Sequence, residues 1–280
     1  RTPRKIKKAK KNHRSRLGVC LFLIGLTVFI LRVMFQPAKR DLSETKVMPH
    51  NTRSGSAGGA RAPETTVPRH LKIAILIDDI GQDLKSLDEL LRLDAPIAFS
   101  VLPFRSHSVT AARKIHEAGR EVLLHLPMEP LDDPERDPGE GVILTAMGDQ
   151  EIRLQAEKDL KAVPFVRGVN NHMGSRFMQD GKKLRVLFGK LREKDLYFID
   201  GLTTASSRGA EAADETAVPF ASREVFIDHA VDRDRVFRNL GGLLQKKGRR
   251  QSILVIGHPY PETVQALKTY LPGSGRPALR

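Results

Sequence analysis

Short apolar runs alternate with stretches whose apolar residues recur every three or four positions, from Leu71 to the end of the chain. This alternation is typical of an α/β domain, in which strands and helices follow one another. Several runs are apolar at consecutive positions, as expected for strands buried on both faces of a parallel sheet. The predicted strands cover residues 72–77, 96–102, 121–126, 166–171, 196–200, 223–228 and 251–257.

Helices are predicted between these strands because apolar residues there share one helical face. The faces consist of Leu84, Leu87 and Leu91, of Leu184, Leu187, Phe188 and Leu191, and of Val236, Leu240, Leu243 and Leu244. Seven strands with intervening helices can close into a barrel or remain an open, doubly wound sheet. Both architectures place ligands at the carboxyl ends of the strands. The first strand is followed by acid rather than by a glycine-rich turn, which argues against a nucleotide site.

Three segments are predicted before the α/β domain. Residues 1–16 form a basic cytoplasmic tail, residues 17–35 a transmembrane signal anchor, and residues 36–70 a disordered linker rich in Pro, Ser, Gly and Thr. Arg32 interrupts the apolar stretch but can snorkel to the membrane surface. A cleaved signal peptide is the alternative, but the residues after the apolar stretch match a cleavage site poorly, which favours an uncleaved anchor. Residues 273–280 are predicted to form a flexible tail.

The net charge of +14 does not indicate a nucleic-acid-binding surface. Residues 1–40 carry twelve basic residues and no acid, which leaves about +2 for the rest of the chain. A nucleic-acid-binding arm would not explain the apolar segment that follows the basic tail. The single cysteine, Cys20, lies inside that segment, so any metal in the α/β domain must be held by histidine and carboxylate side chains.

The most informative residues are ionisable groups that follow the apolar runs, because such groups are costly at the edge of a core and therefore indicate a site. Asp78 and Asp79 follow the first run, and two adjacent carboxylates need a shared cation or a division of roles. We expect one to bind a metal and the other to accept a proton. Capping of the next helix is the alternative, but Asp83 can serve there, which leaves the pair unexplained.

Histidines follow three other strands, and each has an ordinary structural alternative. His125 precedes a proline-stiffened loop that contains Glu129, and a satisfied core histidine is its alternative. His172 lies at a polar, glycine-bounded strand exit, where two asparagines could instead serve a turn. His258 follows the last strand and suits a proton donor or acceptor. Two further carboxylates at strand ends, Asp200 and Asp228, could orient an imidazole or cap the segments that follow them.

Four motifs in this order resemble the divergent polysaccharide deacetylase family, a distant branch of the zinc-dependent nodulation-type deacetylases. They are Ile77-Asp78-Asp79-Ile80-Gly81, His125-Leu126-Pro127-Met128-Glu129-Pro130, Gly168-Val169-Asn170-Asn171-His172-Met173-Gly174-Ser175 and Gly257-His258-Pro259. The resemblance covers residues 71–272. It implies a seven-stranded, distorted β/α barrel in the bacterial envelope. The anchor and this resemblance together predict a protein anchored in the inner membrane, with the barrel in the periplasm or otherwise outside the cytoplasm.

The resemblance also implies roles for individual residues. Asp78 is similar to the general base of the family, Asp79 and His125 to metal ligands, and His258 to the general acid. The better-known deacetylases have a second metal histidine where this chain has Glu129, so either Glu129 or, as we favour, His172 completes the metal site. The Arg-x-Pro-Tyr motif of the wider group is missing, and Arg176 is the nearby candidate to partner Asp78.

The residues predict a metal-dependent hydrolase, with Zn²⁺ or another divalent cation. The resemblance implies that the reaction is removal of an N-acetyl or O-acetyl group from an envelope polysaccharide. Two alternatives belong to other classes. The first is a catalytically silent barrel that binds glycan or an envelope partner, in a chain that has no Trp and only Tyr197, Tyr260 and Tyr270 for sugar stacking. The second is a metal phosphoesterase, for which Arg105, Arg176 and Arg208 would supply positive charge.

Overall fold

A computed structural model describes residues 72–131, 137–245 and 252–271 of the chain. The predicted basic tail, anchor, linker and C-terminal tail lie outside these residues. Within the described ranges, no helix has both the length and the hydrophobicity needed to cross a bilayer.

Eight strands and seven α-helices make up this part of the chain. The strands are β1 (Lys72–Ile80), β2 (Ile97–Val101), β3 (Val122–Met128), β4 (Val166–Met173), β5 (Tyr197–Asp200), β6 (Phe220–Ser222), β7 (Val225–Phe226) and β8 (Ser252–Gly257). The helices are α1 (Lys85–Leu91), α2 (Ser108–Glu117), α3 (Asp149–Ala162), α4 (Gly181–Glu193), α5 (Gly209–Thr216), α6 (Arg233–Gln245) and α7 (Pro261–Tyr270), and a short 3₁₀-helix covers Phe177–Gln179.

All eight strands belong to one parallel sheet in the order β6-β5-β4-β3-β2-β1-β8-β7. The chain starts in the middle of the sheet with β1, adds strands outward to β6, and then adds β7 and β8 on the other side of β1. The sheet is curled and barrel-like. Because every strand runs in the same direction, the carboxyl ends of all eight lie along one edge of the sheet.

Both faces of the sheet are apolar, which explains the consecutive apolar residues in the sequence. On β1, Ile75 and Ile77 pack into the larger core with the helices, whereas Leu76 belongs to a smaller cluster on the other face. The smaller cluster also contains Leu123, Ile199, Leu254 and Ile256. Side chains alternate between the two faces of a strand, so a single strand such as β1 can contribute to both clusters. The predicted parallel sheet is therefore confirmed.

The predicted number of strands is wrong by one. Seven were expected, but Phe220–Ser222 forms an additional strand, β6, and the segment predicted as a strand over residues 223–228 contains only the two residues of β7. Strand β6 is three residues long, partly exposed and preceded by Pro219, so it gives neither an apolar run nor an alternating pattern. Its pairing with β5 forms one edge of the sheet.

Candidate active site

Asp78 and Asp79 lie inside β1, which continues beyond the predicted strand end to Ile80. Neighbouring residues of a regular strand point to opposite faces, but here the pairing with β2 shifts between Ile77 and Ile80. One extra residue on β1 makes this irregularity a β-bulge, and Asp79 adopts a φ of 57° within it. As a result both carboxylates approach His125, with Oδ2 of Asp78 at 3.8 Å and Oδ1 of Asp79 at 3.1 Å from its Nε2.

Asp79, His125 and His172 form a compact group at the carboxyl ends of β1, β3 and β4, here called the three-residue cluster. Oδ1 of Asp79 lies 3.1 Å from Nε2 of His125 and 3.1 Å from Nδ1 of His172. The two imidazole nitrogens are also 3.1 Å apart. Each side chain comes from a different strand, so the parallel sheet itself brings the three together.

The chemistry of this cluster fits a divalent cation. Oδ1 of Asp79 is buried and accepts no hydrogen bond of adequate geometry, although two imidazole nitrogens lie beside it. Tetrahedral zinc binds such nitrogen and oxygen atoms at about 2.0–2.2 Å, which separates neighbouring ligand atoms by roughly 3.3 Å. The spacing in the cluster is close to that value. Three electron-rich atoms this near to one another require a positive charge among them.

Asn170 links this cluster to Asp78, although the sequence suggested no more than turn chemistry for it. Its Nδ2 donates to Oδ1 of Asp78 at 2.9 Å, so its Oδ1 faces Nδ1 of His125 at 3.0 Å and also accepts from Ser100. The Nδ1 of His125 therefore carries the proton of the neutral ring, and its Nε2 presents a lone pair to the cluster. Asn170 lies two positions before His172 on β4, which is the sequence signal for a shared face.

Burial and charge perturb the acids and bases of the site strongly. Burial raises the pKa of Asp78 to about 6, against the opposing effect of His125 and His258. Burial by itself would raise the pKa of Asp79 too, but the imidazoles of His125 and His172, each 3.1 Å from its Oδ1, hold that pKa well below the usual range. Although burial opposes protonation of His125, the two carboxylates raise its pKa to about 9. These directions describe a cluster that attracts positive charge, whether as protons or as a cation.

His258 and Asp228 form a second group at the carboxyl ends of β8 and β7. Oδ1 of Asp228 lies 3.0 Å from Nδ1 of His258, and Oδ2 accepts from the backbone N–H of His258 at 2.6 Å and from Oγ1 of Thr263 at 2.7 Å. This arrangement turns Nε2 of His258 toward the cluster, 3.7 Å from Oδ2 of Asp79. Although burial opposes it, the hydrogen bond and charge of Asp228 raise the pKa of His258.

Asp200 lies elsewhere, although its position at a strand end made it as strong a candidate as Asp228. Its Oδ1 accepts from the backbone N–H of Leu202 at 2.7 Å, and its Oδ2 accepts from Oγ of Ser207 at 2.6 Å. Both bonds hold the loop that follows β5. In the structure, therefore, Asp228 contacts His258, whereas Asp200 binds the loop that follows β5.

Glu129 and Arg176 pair with each other beside the cluster. Nε of Arg176 lies 3.4 Å from Oε1 of Glu129, and Oε2 of Glu129 accepts from the backbone N–H and the hydroxyl of Thr145 at 2.6 and 2.5 Å. These contacts join the segments that follow β3 and β4. Glu129 is not part of the group of three that could hold a metal, in the part of the chain that the structure describes.

A curled parallel sheet with carboxylates and histidines converging at its carboxyl edge defines a polysaccharide deacetylase-like fold and a possible metal site. The comparison with known families agrees with this class. Residues 75–276 match the model of the family described as divergent polysaccharide deacetylase. The chain belongs to this family.

Similar proteins occur in two bacteria. The chain is 32% identical over 197 residues to "Uncharacterized protein YibQ" of Escherichia coli (strain K12), a match that covers 70% of this chain and 61% of that protein. It is 28% identical over 200 residues to an uncharacterized protein of Haemophilus influenzae, covering 71% of each. The match thus spans about three-fifths of the length of the Escherichia coli protein.

A solved structure shares the fold. The crystal structure of the uncharacterized protein ATU2773 from Agrobacterium tumefaciens C58 superposes with a TM-score of 0.68 at 19% sequence identity, over 72% of this chain and 82% of that one. At this identity the likeness supports the fold alone.

Proposed function

We propose that the protein is a metal-dependent hydrolase that removes acetyl groups from an envelope polysaccharide. The observation that carries the proposal is the three-residue cluster, in which a buried carboxylate oxygen without a hydrogen bond faces two imidazole nitrogens at 3.1 Å. Membership in the divergent polysaccharide deacetylase family supplies the reaction class. An acetylated amino sugar, as in peptidoglycan-like polymers, is the substrate we favour.

Asp79, His125 and His172 would hold the cation. Their ligand atoms are one oxygen and two nitrogens, a set that favours zinc, although other divalent ions remain compatible with it. When bound, such an ion polarises the acetyl carbonyl and lowers the pKa of water. The hydrogen bond between His125 and Asn170 keeps the His125 lone pair directed at the site, which is the usual role of a second partner on a ligating histidine.

Asp78 is the proposed general base. Its pKa of about 6 makes it mostly ionised at neutral pH and still basic enough to accept a proton from water. Asn170 fixes the carboxylate through Oδ1, while Oδ2 stays on the side of His125. The adjacent acids would thus have different roles, because the bulge in β1 sets them in different surroundings.

His258 is the proposed general acid. Asp228 holds its Nδ1, so Nε2 is the atom that would deliver a proton to the departing amine or alcohol. The raised pKa of His258 favours the protonated imidazole that this step requires. Asp228 in turn is fixed by Thr263 and by the backbone, and it therefore acts as a positioning residue.

The proposal includes a location, which rests on the sequence. The basic tail and the apolar segment over residues 17–35 would anchor the protein in the inner membrane, and the barrel would lie in the periplasm, where it meets envelope polysaccharide. Its partners are then the membrane and the glycan, with no role for nucleic acid.

The test is to load the 280-residue chain with zinc, measure bound metal, and assay acetate release from acetylated amino-sugar oligomers and from peptidoglycan. A panel of phosphoesters is assayed in parallel. We expect about one zinc per chain and release of acetate. Bound zinc without turnover of any substrate would favour a silent, glycan-binding barrel, and release of phosphate instead of acetate would favour a phosphoesterase. Either result would contradict the proposal.

A further inference from the structure

The arginines around the site differ in whether their charge is already satisfied. Arg176 pairs with Glu129, and Arg208 pairs with Glu211 on the surface. Arg223 donates to the backbone carbonyls of Gly201 and Leu202 at 2.7 and 3.1 Å. Arg105 is different, since its guanidinium has no hydrogen bond or ion pair with any residue over 72–131, 137–245 and 252–271.

The side chain of Arg105 crosses the carboxyl edge of the sheet beside the three-residue cluster. It begins near Gly81, two residues after Asp79, where a Cβ added to the glycine would lie 3.5 Å from the Cβ of Arg105. It ends at Gly139, in the segment that follows β3. Arg105 follows the carboxyl end of β2, which lies in the sheet between β1 and β3, the strands that carry Asp79 and His125. Arg105 is therefore a half-buried cation beside the cluster.

Two glycines make room for this arginine and for its neighbour Phe104. A Cβ at Gly139 would lie 2.5 Å from Nη2 of Arg105, and one at Gly141 would lie 3.0 Å from Cε2 of Phe104. Both glycines have φ above 90°, a conformation that L side chains rarely adopt. Phe104 itself has a φ of 55° and leaves 39% of its surface exposed. The backbone thus accommodates an exposed aromatic ring and a guanidinium side by side.

We propose that Arg105 binds a carboxylate of the substrate, so that the glycan on which this site acts is acidic, and that Phe104 contacts an adjacent sugar ring. The inference rests on the proposed function, because it adds a substrate class to the same site. A guanidinium is well suited to a carboxylate because it can donate two parallel hydrogen bonds. The aromatic face offers the apolar surface on which a sugar ring packs. The carboxylate could belong to a uronic acid or to a lactyl ether on an amino sugar.

Binding measurements on the zinc-loaded chain test this subsite. The probes are two N-acetylated amino-sugar oligomers, one with uronic acids and one with lactyl ethers, together with the same oligomers after conversion of the carboxylates to neutral amides. We expect wild-type protein to bind one acidic oligomer at least about tenfold more tightly than its amide, since hydrogen bonds to charged groups are among the strong ones. The oligomer that shows the preference identifies the source of the carboxylate.

Variants locate the preference. Arg105→Gln should lose the tenfold preference and bind the amides as the wild type does, whereas Arg105→Lys should keep part of it. Gly139→Ala should resemble Arg105→Gln, because the added Cβ displaces the guanidinium. Its thermal unfolding is measured to confirm that the fold persists. Arg208→Gln is the matched control, because that guanidinium is exposed and paired with Glu211 and should be replaceable without effect.

The outcomes separate this inference from the proposed function. Equal binding of acid and amide, or an equal loss of both in Arg105→Gln, overturns the acidic subsite even if acetate is released. An Arg105-dependent preference without acetate release supports the subsite and contradicts the proposed reaction. Phosphate release that requires Arg105 would assign the arginine to a phosphoester and overturn the inference.

Discussion

The three-residue cluster and the Asp228–His258 pair contain the same chemical groups but differ in how those groups are satisfied. In the pair, both oxygens of Asp228 accept hydrogen bonds and the imidazole has a defined partner. In the cluster, Oδ1 of Asp79 is buried without a hydrogen bond while two imidazole nitrogens lie 3.1 Å away. The pair is complete as a hydrogen-bonded unit. The cluster is complete only with a positive charge at its centre.

From this difference we predict different tasks for two sets of similar residues. A satisfied carboxylate–imidazole pair orients a proton-transfer group, and its loss should affect the rate without affecting metal affinity. Substitution of a residue in the three-residue cluster, whose unsatisfied ligand atoms converge, should remove bound metal and activity together. Substitutions in each group can therefore break or sharpen the distinction.

The largest effect is expected for Asp79→Asn. The amide removes the negative charge from the cluster, so zinc should no longer remain bound after dialysis, and kcat/KM for acetate release should fall by at least about 10³-fold. Metal content and initial rates are measured on the same preparation. Asp83→Asn is the control, because Asp83 accepts backbone N–H groups at the start of α1 and lies outside the cluster. Retention of stoichiometric zinc in Asp79→Asn would remove this residue as a ligand.

His258→Gln should have the next largest effect and should separate rate from binding. Loss of a general acid typically costs about 10²–10⁴-fold, and we expect a fall in kcat of about 10²-fold with the zinc content unchanged. Asp228→Asn should lower kcat less and should shift its pH profile, because the imidazole would lose the carboxylate that raises its pKa. His116→Gln, on the distant surface where His116 stacks on Phe165, is the control. Loss of zinc in His258→Gln would place this histidine among the ligands.

Asn170→Leu should affect the cluster indirectly. Without the amide, Nδ1 of His125 and Oδ1 of Asp78 lose their partner, and zinc affinity should fall by about 10–100-fold, as is usual when the second partner of a ligating histidine is removed. A competitive chelator titration measures the change. Asn171→Leu provides the contrast, because Asn171 holds the loop after β5 through Gly201 and should affect thermal stability rather than zinc affinity. Equal zinc affinity in Asn170→Leu and wild type would contradict the bridging role.

The sheet could be predicted from the sequence because strands buried on both faces leave consecutive apolar residues. The cores of β1, β3, β4 and β8 lie where the apolar runs predicted them. Strand β6 was missed because three partly exposed residues produce no such run. The sequence also could not show that β1 continues through its two aspartates, since the bulge depends on pairing with β2.

The candidate site was also partly predictable, because it follows from the parallel sheet. A parallel sheet collects the carboxyl ends of its strands along one edge, so Asp79, His125 and His172 could be expected to lie together, although their roles stay predictions. The sequence could not show whether Asp200 or Asp228 contacts His258. Both residues stand at the end of a predicted strand, and the side chains that surround each of them depend on how the sheet curls. Asn170 was overlooked because two adjacent asparagines at a strand exit also suit a turn, whereas the structure directs the amide of Asn170 at Asp78 and His125.

The smallest effect is expected away from the site, at Asp159, which tests whether an unsatisfied carboxylate is by itself a metal site. Asp159 is fully buried in α3, and its Oδ2 also has no hydrogen-bond partner among the described residues. Its Oδ1 accepts from Gln155 at 2.8 Å, and no group of three potential metal ligands in the same ranges includes it. Burial, with the charge of Glu140 adding to it, raises the pKa of Asp159 to about 7. Here we expect a proton, not a cation, to satisfy the carboxylate.

The raised pKa of Asp159 makes the stability of the fold depend on pH. A carboxyl whose pKa rises from 3.8 to about 7 on folding binds its proton more tightly in the native state, so its contribution to stability is lost as the pH rises through that window. Asp159→Asn should remove this pH-dependent loss of stability, because the amide does not ionise, and should raise the free energy of unfolding at pH 8 by roughly 1–2 kcal/mol. The gain is smaller than the free energy that corresponds to the whole pKa change, because the buried amide also needs hydrogen-bond partners. Thermal unfolding of both proteins at about pH 4.5, 6 and 8 should show a difference in Tm that grows with pH and levels off above about pH 7. Zinc content and deacetylation should not change. A constant difference at all three values would show that Asp159 keeps its charge, and a loss of zinc would show that burial without convergent imidazoles is enough to hold the metal.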